Sequence, residues 1–526
     1  MNDTDSPPTP QDSPPPKPRF GRTFWILNSI EMFERLSYNN LRVVAPIYIM
    51  QADDLGGLHL TPWDKGVIYA WWAVFQSLLP VFTGGIADRF GYKRTLACAL
   101  SAMIMGYLIM GLVRGVPGIN DYWSFFTGLM IMASGTAFFK PGLWGSLAHL
   151  LTQETTSVGW GIFYWVVNIG AFLGPLVSSM LLNLSVMLPG FFYGKAHSPE
   201  AWRNLFLACA AFIFLNLLLL LTFRDIPSGA SKTEPLFHVL WRTVKNVVEP
   251  RLLCWLAIMS CFWLMMYQLW DLQPNFIADW VDSSGMARSL QWLPGGLHKV
   301  FVEETSRGPM VPQQLLLSFN ALFILLGVVG ISWLTRRMRT LSTMLLGMTV
   351  ATAGVIVAGW TRNAWILVWG ILFFSLGEMM TGPKINQYLA IIAPPEKKGL
   401  YQGYVNIPAG LGIFFGSQIA GFVYGHYGEK AVLALRYLAE KTPWGLAKHW
   451  NGDISTLETT LGVHRTEAML KLQEITGMDP ITATQKLWDT YSPHHVWIPF
   501  ALIGVAAAIA LWIFGQRAKR WSDMNA

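Results

Sequence analysis

The sequence predicts an all-α membrane protein of about twelve transmembrane helices in two six-helix bundles, and three observations carry that prediction. Hydrophobic residues make up 53% of the 526 positions, charged residues only 13%, and the mean hydropathy is +0.38, a composition suited to lipid rather than water as the main solvent. The apolar residues gather into about a dozen stretches of roughly 20 residues, the length a helix needs to cross a hydrocarbon core of about 30 Å. Lys and Arg fall on alternate loops instead of forming one basic face, which is the pattern of membrane topology. A transmembrane β-barrel would need short segments of alternating polarity; Leu205 to Thr222 and Ile498 to Phe514 are almost continuously apolar.

The chain opens with residues 1–18, rich in Pro, Asp and Ser, too poor in apolar surface to offset ordering entropy and therefore expected to be a disordered tail. The apolar run from about Phe20 to Met50 is too long for a signal-peptide core and reads as the first span. Further spans are expected near 67–88, 95–115, 122–149, 158–184, 201–223, 250–280, 313–335, 340–361, 364–393, 400–425 and 495–516. The 19–223 half is separated from the 250–516 half by a linker at 224–249. Arg89, Lys93 and Arg94, then Arg336, Arg337 and Arg339, then Lys397 and Lys398, then Arg517, Lys519 and Arg520 share one side, so the linker, the 517–526 tail and both termini are expected in the cytoplasm of a multi-pass inner-membrane protein. On the other side, loops 281–312 and 426–494 are longer, and the second is polar enough to form a small helical cap.

The net charge of +7 follows from this topology and implies no nucleic-acid partner; the expected surroundings are the lipid bilayer. Cys98, Cys209, Cys254 and Cys261 lie in apolar stretches without metal-ligand spacing and read as packing residues. No nucleotide loop, metal cluster or nucleophile–base arrangement is visible, so no enzyme, resident metal or cofactor is expected.

Chemistry is concentrated inside the spans. Glu31, Glu34, Arg35, Tyr38 and Arg42 are spaced so that all five project from one face of the first helix. Such a stripe is too costly to face lipid, and ionisable groups at membrane depth mark ion or substrate pathways. Lys140 and Glu378 carry the same implication, since an isolated charge there costs on the order of 3 kcal/mol. Asn168 and Asn320 fit either substrate contact or interhelical hydrogen bonding. None of the ten histidines sits convincingly in mid-membrane, so proton coupling, if present, must use carboxylates. Lys384 fits equally well an attraction for a carboxylate substrate or a snorkelling role.

Between the second and third spans, Gly84-Gly-Ile-Ala-Asp-Arg-Phe-Gly-Tyr-Lys-Arg94 resembles the loop signature of the major facilitator superfamily, with Asp88 and Arg89 as a charged latch; Leu334-Thr-Arg-Arg-Met-Arg339 is a degenerate counterpart in the second half. Glu31-x-x-Glu-Arg-x-x-Tyr38 is similar to the first-helix motif of the proton-coupled oligopeptide transporters. Gly135-Thr-Ala-Phe-Phe-Lys-Pro141, Phe163-Tyr-Trp-Val-Val-Asn-Ile-Gly170 and Gly377-Glu-Met-Met-Thr-Gly-Pro383 resemble that family's motifs in the fourth, fifth and tenth spans.

The resemblance implies a divergent member: a major facilitator fold and symport of protons with di- or tripeptides. It implies proton coupling through Glu31, Glu34, Arg35 and Glu378. Arg35, Tyr38, Arg42, Lys140, Asn168, Asn320 and Glu378 would contact substrate, and Lys140 would pair with Glu378 as a cytoplasmic-side gate. Asn39, Asn40 and Ser77 depart from the family pattern, and Tyr267 replaces the family's acidic residue before Gln268. Asp271, one turn further on, is therefore expected to pair with Arg42 in an outer gate. A carrier of another small organic solute is the alternative, and a receptor that does not transport is a further one.

Overall fold

The computed structural model describes residues 20–152, 155–183, 196–222, 249–393 and 404–518, without the side chains of 84–88 and 157. The 1–18 tail, nearly all of the 224–249 linker, Lys397, Lys398, Lys519, Arg520, most of the 517–526 tail and the Asp88 side chain lie outside the described residues.

Twelve helical spans are found among the described residues. They are α1 (Arg22–Arg42, continuing as Ala45–Met50), α2 (Pro62–Ala73 and Pro80–Phe90), α3 (Tyr92–Leu112), α4 (Asp121–Leu150), α5 (Thr156–Leu182), α6 (Pro199–Leu221), α7 (Pro250–Met266, Gln268–Asp271 and Gln273–Trp280), α8 (Gln313–Thr335), α9 (Thr340–Gly359), α10 (Ala364–Ile392), α11 (Asn406–Tyr427) and α12 (Ile498–Ala518). Ten helices are long and apolar enough to cross a membrane on length and composition alone. The two spans that miss this standard are α1, whose charges lower its hydropathy, and α4, diluted by Lys140 and by small polar residues. Both carry candidate site residues. A helix that lowers its own membrane compatibility places those residues where other helices cover them.

Three spans are not the uniform helices that periodicity predicts. α1 breaks after Arg42, just ahead of Pro46, which has no N–H to continue the ladder. α7 is interrupted at Tyr267 and again at Leu272, beside Pro274. In α2, Val74–Leu78 forms a π-turn in which Leu79 N donates to Val74 O, because Pro80 cannot donate to the preceding turn; such turns recur at functional sites. At the signature loop, Gly91 takes a φ of 92° between α2 and α3, which a side chain would disfavour.

The halves α1–α6 and α7–α12 meet chiefly where α2 packs on α11 and α5 on α8. A two-stranded hairpin, β1 (Glu303–Thr305) with β2 (Gly308–Met310), lies between α7 and α8. Between α11 and α12 stands a cap of short helices, Lys430–Lys441, Pro443–Leu446, Leu457–Leu461, Ala468–Thr476 and Pro480–Tyr491, with a buried core that includes Leu433, Leu438, Leu461, Leu472 and Leu487. The end of the molecule bearing this cap is called the cap side below.

Candidate functional site

The site begins with the charged face of α1. Glu31 and Glu34 are 2% and 0% exposed. Arg35 lies between them: its Nε is 3.3 Å from Glu31 Oε1, and its guanidinium is in tight contact with Glu34 Oε2. Glu31 Oε2 and Glu34 Oε1 are buried and have no hydrogen-bond partner among the described residues. Each thus offers an oxygen that no protein donor occupies. The close fit of α5 supports this cluster from behind, for a Cβ on Gly170 would lie 2.6 Å from Met32 O and 2.8 Å from Arg35 Cβ. The residue type at Gly170 is therefore dictated by helix approach at the charged triad.

Tyr38 continues the same face. Its hydroxyl accepts a 2.6 Å hydrogen bond from Gln76 Nε2, a residue that sequence reasoning did not single out. Gln76 lies in the π-turn of α2, whose extra residue sets which side chain of that span faces α1. Arg35 lies 4.9 Å from the Tyr38 ring centre.

One turn further, Arg42 does not pair with Asp271, contrary to the sequence expectation. Its guanidinium lies 4.0 Å from the Trp270 ring, 5.0 Å from Tyr267 and 5.7 Å from Tyr38, an aromatic surround whose faces attract a cation. Asp271 instead binds Lys65 of α2, Nζ to Oδ1 at 2.8 Å, and Lys65 also donates to Asp271 O at 2.7 Å. One-turn equivalence presumes an unbroken helix; the interruption at Tyr267 turns Asp271 toward α2 and leaves Trp270 and Tyr267 against Arg42. Lys65 was legible in one respect. Thr61 and Asp64 form a reciprocal capping box, a spacing that marks a helix start and moves Lys65 from loop into helix.

From α4, Lys140 makes no ion pair among the described residues, but it lies within electrostatic reach of Glu31, Glu34, Arg35 and Arg42. Asn168 of α5 donates to Tyr164 O of its own helix at 2.8 Å. In the second half, Asn320 Nδ2 donates to Glu378 Oε2 and to Ser375 Oγ, each at 3.0 Å, which joins α8 to α10. Glu378 feels Arg42 across the halves. Lys140 and Glu378 stand apart here, with Glu378 held by Asn320. Lys384 donates to Gln387 of its own helix at 2.9 Å, and Asn39 Nδ2 likewise to Arg35 O at 2.8 Å. Arg89 is partly buried at the end of α2.

Polar bonds between the halves gather on the cap side. Besides Lys65–Asp271, Gln51 Nε2 donates to Asp279 Oδ1 at 2.8 Å, Asn275 Nδ2 to Pro46 O at 3.1 Å and Gln313 Nε2 to Val43 O at 2.9 Å. These bonds hold the two halves together on that side. On the same side, His197 Nδ1 is 2.7 Å from Asp54 Oδ2 and Nε2 is 3.4 Å from Glu303 Oε2 of β1. Burial alone would lower the imidazole pKa, but the hydrogen bonds and charges of Asp54 and Glu303 outweigh it and raise it to about 10. A raised folded-state value contributes stability that is complete below the unfolded pKa, about 6.5, and is lost as pH rises through the folded one. The thermal midpoint of purified protein should therefore fall between about pH 7 and pH 10, and His197→Gln should show a shallower fall over the same range.

The Major Facilitator Superfamily model matches residues 28–417. Among curated proteins, the quinolone resistance protein NorA of Staphylococcus aureus is 22% identical over 392 residues, 74% of this chain and 87% of NorA. The class H tetracycline resistance protein of Pasteurella multocida is 21% identical over 367 residues, 69% of this chain and 79% of that protein. An uncharacterised Bacillus subtilis transporter, YclF, is 29% identical over 177 residues, 32% of this chain but only 34% of its own length. Among solved structures, a peptide transporter with sulfate bound superposes with a TM-score of 0.62 at 15% identity, covering 96% of each chain. A POT family transporter with a thioalcohol-conjugated peptide gives 0.62 at 15% identity over 95% of this chain and 97% of its own. At that identity the likeness to the solved structures is one of fold. With its family model spanning most of the chain and its twelve spans forming two six-helix halves, the protein belongs to the major facilitator superfamily.

Proposed function

We propose that this transporter is a proton-coupled symporter of di- or tripeptides that works by alternating access between its two halves. The observation that carries the reading is the Glu31–Arg35–Glu34 cluster, two buried carboxylates holding one guanidinium on the charged face of α1. A guanidinium held by two carboxylates is poorly available to a substrate carboxylate. Protonation of Glu31 or Glu34 loosens that hold, so proton entry prepares the site for the peptide's C-terminal end. Lys140 and Arg42 add positive charge nearby. Glu378, oriented by Asn320, faces the peptide amino group from the other half. Peptide backbone charges at both ends are thereby recognised while side chains stay largely unread. Release follows when the cap side is closed, as here, and the carboxylates lose their protons to the opposite compartment. On this reading the termini are cytoplasmic, the membrane is the inner one, and Lys140 with Glu378 closes the cytoplasmic side in the other half of the cycle.

A second reading, carriage of another organic solute, is favoured by the aromatic surround of Arg42 in place of an acidic partner and by the drug-resistance names of the curated relatives. Uptake of labelled dialanine into proteoliposomes, with and without an inward proton gradient, separates the two. Accumulation above the gradient-free level is the expected result. No uptake by folded protein, together with gradient-driven movement of a quinolone, would replace the first reading by the second.

A further inference from the structure

We propose that the cap between α11 and α12 is the outer latch of the transport cycle, and that Arg465 is its main fastening. The inference needs only that the two halves rock; it does not depend on the solute being a peptide. The cap is joined by sequence to the second half, yet Arg465 reaches across to the first. Its Nη2 donates to Met50 O at 2.8 Å and to Leu60 O at 2.9 Å, while Nη1 pairs with Glu429 Oε1 at 3.0 Å. Met50 ends α1 and Leu60 immediately precedes the cap residue of α2, so one side chain grips both ends of the loop between those helices. Met50 O is among the last carbonyls of a helix, where a cation is favoured. Arg465 is 5% exposed and Glu429 2%.

A second bond lies beside it. Lys430 Nζ is 3.2 Å from Asp53 Oδ2, in the same loop, and 3.7 Å from Asp279 Oδ1 of α7. Asp279 in turn accepts from Gln51 and from Tyr424 OH at 2.6 Å. The loop 51–61 is stiff enough to transmit the pull, because Leu58 N donates to Tyr48 O at 2.6 Å and Leu60 N to Ile49 O at 2.8 Å. The first half cannot separate from the second on the cap side without breaking the Arg465 bonds to Met50 and Leu60. A planar guanidinium suits this geometry, since its fork serves two carbonyls and a carboxylate at once, which an ammonium on the shorter lysine stem cannot reproduce. The cap therefore adds to the Lys65–Asp271 pair in holding this side shut.

The test places spin labels at Ile119→Cys in the first half and Trp360→Cys in the second, both exposed on the cap side, in a background with the four native cysteines replaced. Arg465→Ala combined with Glu429→Gln removes the fastening without leaving a buried charge unpaired. Loss of hydrogen bonds to a charged group predicts a rise of roughly tenfold or more in the population of a second, longer distance, with Arg465→Lys intermediate. A distance distribution unchanged from wild type in the folded double variant would overturn the proposal. Failure of dialanine uptake would leave this readout untouched, so the latch and the peptide reading fail separately.

Discussion

Asp271→Ala should lower the thermal midpoint by several degrees and abolish transport, because it leaves Lys65, 1% exposed, without its carboxylate. Removing one partner of a buried ion pair costs about 3–5 kcal/mol, most of it the penalty of an uncompensated buried charge. The backbone carbonyl of Asp271 and the side chain of Asn275, which also accept from Lys65 at 2.7 Å and 3.4 Å, cannot neutralise it. Lys65→Met together with Asp271→Leu removes both charges and should recover most of the lost stability, since apolar replacement of a whole buried pair is often neutral. On the proposed alternating-access cycle, transport should not recover in parallel, because a pair that breaks and re-forms in each cycle has been replaced by packing that does neither. Thermal unfolding of the single and double variants in the same detergent checks the first part, and solute flux the second. Equal midpoints for Asp271→Ala and wild type would show that the pair contributes nothing to the closed state.

Glu34→Gln has the second large expected effect. On the proposed proton-coupled peptide reading, gradient-driven dialanine accumulation should drop to the level of empty liposomes, while exchange of labelled for unlabelled solute at equal proton concentration should persist. The amide keeps the shape of the side chain and removes its ability to carry a proton. Arg35 keeps only Glu31 as a charged partner, so it is permanently more available and no longer informed by protonation. Loss of both accumulation and exchange in folded protein would place Glu34 in solute binding or in the architecture of α1, and retention of both would remove it from the coupling step.

Much of this site was legible in the sequence because it depends on short-range periodicity. Glu31, Glu34, Arg35, Tyr38 and Arg42 follow one another within about one turn over roughly three turns of a single helix, so their common face follows from 3.6 residues per turn. That a charged face must be covered follows from the cost of charge in lipid. The same reasoning located Lys140 and Glu378 as groups that need polar surroundings. Most of the spans were legible because ten of them are local runs of apolar residues of bilayer length.

What only the tertiary structure decided concerns partners on different helices. Arg42 lies among aromatic rings and Asp271 meets Lys65 because α7 is interrupted at Tyr267, and periodicity extrapolates only through an unbroken helix. Gln76 meets Tyr38 from the π-turn ahead of Pro80, which sets the register of α2. Arg465 is one arginine among many polar residues of a long loop until folding brings it to Met50 and Leu60, some four hundred residues away in the chain. Local backbone geometry and the one-sided character of a helix are written into neighbouring residues. Which faces meet depends instead on breaks, turns and close approaches summed over the whole bundle, and no single segment contains that sum.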